Sequence, residues 1–412
     1  MKAFSRLAVL TALLFCTCPA LQAQEDGLIR KLGNMLTRLN KVYDTTYVFK
    51  LDMPGVVSPT ADLIWTGINL HRDISYKEGT GDFQGFSTVD THLARRLFEK
   101  AGLGLSYGSL AFGYTVELAR NGTQRNKYNN FSFVRPRFGI SFQYYRIHEY
   151  MAGVYRIPEI PDFEMTLESG EPGQMRHLVV DGFYFFNPER FSYLATTGRN
   201  VVQRRSGGSW LASVCYSQGE YGYKRTDAIV LDFPDHIGVL RTGALSLGGG
   251  YSFNWVPYHR DPGGDGLDGF RNLTFNLTFV PRVTLYNHLF VTQYGYPNPD
   301  EAVKMYQKEF GHLPDEKDLD AVIYDYRLEK AWEGAPSREY SFFKPALTLS
   351  AHAGFIYSWK RYFICLTADF ERFGFKGVET TSLDSYDNWL YKTVARGSFY
   401  NVTTRVQFNV RF

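Results

Sequence analysis

The sequence predicts an all-β chain: a transmembrane antiparallel up-and-down β-barrel of about twelve strands, with a short N-terminal helix and a helical outer loop. Three observations predict it. Residues 399–412 alternate strictly, with Val402, Thr404, Val406, Phe408, Val410 and Phe412 on one face and Asn401, Thr403, Arg405, Gln407, Asn409 and Arg411 on the other. Successive strand residues point to opposite sides, so this segment reads as a stave with lipid outside and a polar lumen inside. The same period of two recurs through most of the chain. After the N-terminal segment, no apolar run approaches the ~20 residues a membrane helix needs, so membrane residence has to come through strands.

Residues 1–23 have the plan of a secretory signal peptide. Lys2 and Arg6 precede the apolar run 7–15, and Leu21-Gln22-Ala23 offers a small-residue cleavage site. Phe15 stands where lipoprotein processing wants a small residue, so Cys16 and Cys18 leave with the signal. Cleavage removes two basic residues and no acid, leaving 43 basic against 42 acidic side chains. This near-neutral balance excludes a nucleic-acid binder, which needs a basic excess or stripe. Cys215 and Cys365 remain, several predicted strands apart, and read as free thiols.

Residues 24–42 carry Leu28, Ile29, Leu32, Met35, Leu36, Leu39 and Val42 at helical spacing, predicting a periplasmic amphipathic helix over the barrel base. The barrel itself spans 43–412. Its first strand is expected over 63–77, with Ile64, Ile68, Leu70 and Ile74 opposing Asn69, His71, Asp73 and Ser75. Residues 83–98 offer a weaker strand, crowded by Arg95 and Arg96. Strands at 101–107 and 110–118 flank Gly108-Ser109, a tight-turn signal.

Single strands follow over 131–147, 175–187, 209–223, 241–256 and 271–286. The last is the cleanest, with Leu273, Phe275, Leu277 and Phe279 opposing Asn272, Thr274, Asn276 and Thr278. Strands 342–359 and 361–376 meet at a turn near Lys360, and 399–412 closes the barrel. With the C-terminus periplasmic, 224–240, 287–341 and 377–398 become outer loops. Within 287–341, Asn298-Pro299-Asp300-Glu301 opens one helix, Gly311 ends it, and Pro314-Asp315-Glu316 opens a second reaching about Trp332.

Several stretches carry a family resemblance: Tyr43-Asp44-Thr45-Thr46-Tyr47, Leu105-Ser106-Tyr107, Arg190-Phe191-Ser192-Tyr193, the run 203–210 (QRRSGGSW), Gly249-Gly250-Tyr251 and Asn254-Trp255. Together they resemble a family of outer-membrane barrels of unknown function common in Bacteroidetes, over most of 43–412. The resemblance implies the outer membrane of a Gram-negative bacterium and brings no established activity. The loop 288–341 is longer and more helical than the family pattern.

The inward positions are expected to include His71, Asp73 and a charge network of Glu117, Arg137, Asp181, Arg282, Lys344, Asp369, Glu371, Arg405 and Arg411. Both signs are present, which predicts pairing across a narrow lumen; a sign-selective pore would need a ring of one charge. Ser350 and His352 share a face with Asp369 on the next strand, the candidate set for a nucleophile, base and orienting acid. The nine histidines show no metal spacing, and the run 261–266 lacks the ligand spacing of a calcium loop, so neither metal nor cofactor is expected. Val406, Phe408, Val410 and Phe412 form the C-terminal signal expected to engage barrel-assembly machinery. The leading expectation is a non-enzymatic narrow channel or scaffold in outer-membrane lipid, with 288–341 open to an extracellular partner. A lipid-modifying barrel hydrolase is the alternative, and a secreted soluble β-sandwich a third.

Overall fold

The computed structural model describes residues 42–412 outside 79–81, 83, 94–95, 119–125, 150, 157–163, 169–172, 198–199, 223–236, 262–268, 296, 298, 316, 331, 334–336, 343–345 and 383–388. The predicted signal and residues 24–41 of the helix expected over 24–42 lie outside the described residues, as does Lys344.

Twelve staves close a barrel. They are β1 (Gly55–Glu78), β2 (Arg96–Tyr107), β3 (Leu110–Glu117), β4 (Lys127–Val134), β5 (Phe138–Glu149) and β6 (Gly173–Phe185), followed by β7 (Gly207–Gly222), β8 (Ile237–Arg260), β9 (Arg271–Gly295), β10 (Leu347–Trp359), β11 (Tyr362–Ser382) and β12 (Trp389–Arg411). Each pairs antiparallel with its successor, and β12 returns to β1 through a register that includes Arg405 opposite Asp62. The seam is locked at its lower end, where Phe412 N donates to Gly55 O at 2.9 Å and Gly55 N to Phe412 O at 3.0 Å.

The alternation sorts the chain as the period predicts. Trp65, Leu105, Phe112, Trp210, Phe253, Leu277, Phe279, Leu366 and Phe408 stand exposed on the outside, while Asp62, Lys100, Thr115, Cys215, Asn276, Arg282 and Asn401 are buried inside. A soluble sheet buries its large apolar side chains; this one surrounds itself with them, a band that lipid covers. Among the described residues no helix is long and apolar enough to cross a membrane. Cys215 and Cys365 are buried free thiols on β7 and β11.

The structure divides the chain differently in three places. The single strand expected over 131–147 is two, β4 and β5, because Arg135-Pro136 forces a turn where proline can give no ladder hydrogen bond. The weak strand at 83–98 is not a stave: Gln84–Leu93 pairs with the upper part of β1 and with Met151–Arg156, above the short hairpin β3–β4. The outer loops are shorter than expected, since β11 and β12 stay paired as far as Ser382 opposite Leu390 and β9 runs to Gly295. Staves of 21–25 residues exceed the ~9–11 needed to span, so the wall projects beyond the apolar band at the end away from Phe412.

Tight turns mark the other end. Gly108 adopts φ +58 between β2 and β3, and Lys360 adopts φ +49 between β10 and β11. The long connection from β6 to β7 holds a short helix, Tyr193–Thr196, and the strand Val201–Gln203, which pairs with Val48–Lys50. In the connection from β9 to β10 one expected helix forms over Pro299–Phe310, with Gly311 at φ +76 capping it, and the second is shorter than expected, Leu319–Glu329. They pack through Ala302, Ile323 and Tyr326.

Candidate functional site: the filled lumen

The lower mouth is stopped by a plug built from residues 43–51, 186–197 and 200–206. Gln203 is its fully buried centre. The Gln203 Nε2 donates to Arg190 O (2.7 Å) and Arg205 O (2.9 Å), and Oε1 accepts from Ser192 N (3.1 Å) and Asn254 Nδ2 (3.2 Å). Its backbone carbonyl accepts Asn272 Nδ2 at 2.8 Å. One amide therefore uses its donor and acceptor capacity to tie the plug to itself and to the inner faces of β8 and β9. Arg204 reaches Thr45 O (2.9 Å) and Asp261 (2.6 Å) and lies over the Phe49 ring; Tyr43 OH meets Ser192 Oγ at 3.1 Å. Val48, Leu194 and Val201 pack with Val134, while Phe191 packs with Phe185 and Val280 of the barrel. The family-like stretches at 43–47, 190–193, 203–210 and 254–255 thus converge on one structural unit.

Above the plug runs a row of alternating charge. Arg405, Asp62, Lys100 and Glu117 stand directly opposite one another on β12, β1, β2 and β3. The Arg405 guanidinium donates to both Asp62 oxygens, at 2.7 and 2.8 Å. Asp62, Lys100 and Glu117 are all buried. A second unit lies on the far wall, where Arg282 of β9 bonds Asp181 of β6 and donates to Ser213 Oγ of β7 at 2.8 Å. It reaches them across Gly248 of β8, where a Cβ would fall 2.6 Å from Arg282 Cγ and 2.2 Å from Pro281 O. Only glycine leaves the arginine that passage.

Polar and aromatic contacts cross the lumen. Gln143 of β5 donates to Glu371 of β11 at 3.2 Å, and those staves lie six places apart in a ring of twelve, on opposite walls. Tyr145 donates to Gln143 Oε1 at 2.6 Å and accepts from Asn401 Nδ2 at 3.0 Å. The His177 and Phe399 rings, on the opposed staves β6 and β12, sit 4.0 Å apart, with Phe373 stacked on Phe399. Phe399 and Phe373 belong to a buried cluster with Phe98, Tyr145, Met175, Tyr221 and Leu289.

The expected network is therefore only partly one assembly. Glu117, Asp181, Arg282, Asp369, Glu371 and Arg405 face inward, but the ion pairs join the same or neighbouring walls. The charged residue that reaches across is Glu371, and it meets a neutral amide. Arg411 is buried, with its guanidinium over Phe363 and Nη2 3.3 Å from Ser358 Oγ. Arg137 does not join: it is exposed in the turn before β5. His71 and Asp73 are also displaced from the lumen, sharing the outward face of Leu63 and Trp65 on β1, above the apolar band. There His71 lies 2.6 Å from Asp90 and 3.0 Å from Asp73, in a rim cluster with Arg156, Glu164 and Arg396.

Asp369 and His352 meet, Nδ1 to Oδ1 at 2.6 Å. Ser350 makes no hydrogen bond to His352; it stands opposite Glu371. The free Nε2 of His352 lies on the Gly354 side, 3.2 Å from where a Cβ of Gly354 would be, and so away from Ser350. The geometry holds a dyad without its nucleophile. Among the described residues no group of three His, Cys, Asp or Glu side chains could hold a metal. Val406, Phe408 and Phe412 are exposed at the base of β12, with Val410 half-buried.

Sequence reading missed Asp62, Lys100, Gln143 and Gln203. Asp62 lay one residue before the expected strand, and continuing the alternation downward would have found it.

Residues 81–260 match the family described as a domain of unknown function, DUF4421. No curated protein matches the chain. Among solved structures, the translocator domain of the autotransporter NalP from Neisseria meningitidis is similar at 10% identity, over 97% of this chain and 99% of that one, with a TM-score of 0.29. A FadL homologue of Pseudomonas aeruginosa is similar at 11% identity, over 86% and 90%, with a TM-score of 0.21. At these identities the likeness is one of fold alone.

Proposed function

We propose that the protein is an outer-membrane barrel of a Gram-negative envelope with a nearly closed lumen, a scaffold that carries a structured outer loop and passes little or no solute. The contact of Gln143 with Glu371 across the full width of the barrel carries this reading. A twelve-stave barrel is wider than the eight-stave kind that side chains just fill; here large inward residues meet in the middle, above a hydrogen-bonded plug. The apolar exterior supports residence in outer-membrane lipid after export with a cleaved signal, and Phe408 and Phe412 supply an aromatic face for assembly machinery. The helices Pro299–Phe310 and Leu319–Glu329 form the outer surface open to an extracellular partner. The His352–Asp369 dyad serves as part of the lumen packing.

The full chain should sediment with outer membranes, run differently on gels before and after boiling, and give small, weakly selective conductance or none in planar bilayers. A large conductance selective for one ion sign would make it a porin.

A further inference from the structure

A cavity of about 300 Å³ opens at the plugged end, beside the turns at Gly108-Ser109 and Arg135-Pro136. Its walls come from the lower rim of the outward face (Tyr107, Leu110, Phe133) and from the plug (Leu194, Val201). Two cations, Lys50 and Arg135, line it, and no carboxylate is among its lining residues. We infer that this cavity seats one anionic phospholipid of the surrounding leaflet, its phosphate held by Lys50 and Arg135.

The placement argues for a bilayer lipid. The apolar band continues upward from the cavity through Leu105, Phe112 and Phe131, all exposed, so a chain rooted in the cavity runs on along the barrel wall as a leaflet lipid does. The cavity lies where that band meets the polar plug, the depth of lipid headgroups, and Tyr107 at its edge is 67% exposed, as aromatic residues at such interfaces are. The Arg135 guanidinium lies over the Phe133 ring at 5.3 Å, which fixes it at the cavity wall. Burial lowers its pKa from the usual arginine range, and a phosphate beside the guanidinium offsets that desolvation cost.

The inference rests on the membrane reading above, and one experiment separates the two. The full chain is refolded into bilayers containing both phosphatidylglycerol and phosphatidylcholine, extracted in mild detergent, and its retained lipid identified by native mass spectrometry. Wild type should keep phosphatidylglycerol in preference. Lys50→Gln with Arg135→Gln should weaken that retention roughly ten- to thirty-fold, the worth of two interfacial cations, with heat-modifiable migration intact. If the double variant does not fold, Lys50→Gln alone, at an exposed position, should still lower retention several-fold. Equal retention of the two lipids, unchanged retention in the folded variants, or a free fatty acid as the retained species overturns the site and leaves the barrel standing. A chain that never enters bilayers overturns both.

Discussion

The barrel carries two clusters of mixed charge built from the same residue types, and their surroundings give them opposite weight. In the lumen, Arg405 and Asp62 form a two-point pair in which the acid side chain is fully shielded from solvent. On the outer rim, Arg156 bridges Asp90 and Glu164 with its side chain nearly half exposed. Water screens the rim pairs and competes for their hydrogen bonds, so each contributes little. In the lumen the partners are buried, and a charge left without its partner costs its desolvation. The lumen charges thus specify how the staves register across the seam, whereas the rim charges decorate a wall already paired by its backbone.

The largest effect should follow from Arg405→Ala, which removes both guanidinium hydrogen bonds from the buried Asp62 and should destabilise the barrel by about 3–5 kcal/mol. Arg156→Ala should cost far less, because water screens its exposed pairs. Denaturant unfolding of both variants in the same vesicles measures the gap; equal losses would break the distinction between the clusters. Gly248→Ala tests the lumen without touching a charge. Its methyl group would displace Arg282 and the backbone of β9, and overpacking of this kind costs about 1–3 kcal/mol. A neutral result would mean that Arg282 has another route to Asp181.

The staves were legible because lipid outside and a polar interior impose one period along each of them. The missed turn shows what that period also contains. Phe131 and Phe133 face outward at odd positions, yet Phe138, Ile140 and Phe142 do so at even ones. A strand cannot change face without a break, so the phase flip marks the turn at Arg135-Pro136. His71 and Asp73 were placed inward because polar residues were equated with lumen, an equation that fails where the wall rises above the membrane into water. The meeting of Gln143 with Glu371 was beyond sequence reading, since which inward residues touch depends on strand tilt and stagger after closure. The plug was half legible: its stretches stood out, but nothing local says that residues 43–51 meet 186–197 and 200–206.

The smallest effect concerns pH at the rim. The hydrogen bond from His71 to Asp90 raises the histidine's pKa, with a further contribution from Asp73 against a modest desolvation cost. A group whose folded pKa lies above its unfolded value of about 6.5 stabilises the fold fully below that value, and the contribution fades as pH rises through the folded pKa. Arg156 also binds Asp90, and Arg396 approaches Asp73, so neither acid is left without a cation when His71 loses its proton. The consequence is local: the pairing of Gln84–Leu93 with β1, where His71 stands opposite Asp90, should loosen while the lumen is unaffected. Amide exchange along Gln84–Leu93 should quicken a few-fold between about pH 6 and pH 8 after correction for intrinsic rates, and His71→Gln should remove that dependence. Exchange that quickens equally on β12 beside Arg405 would mean that rim and lumen open together, and the two clusters would then be one cooperative unit.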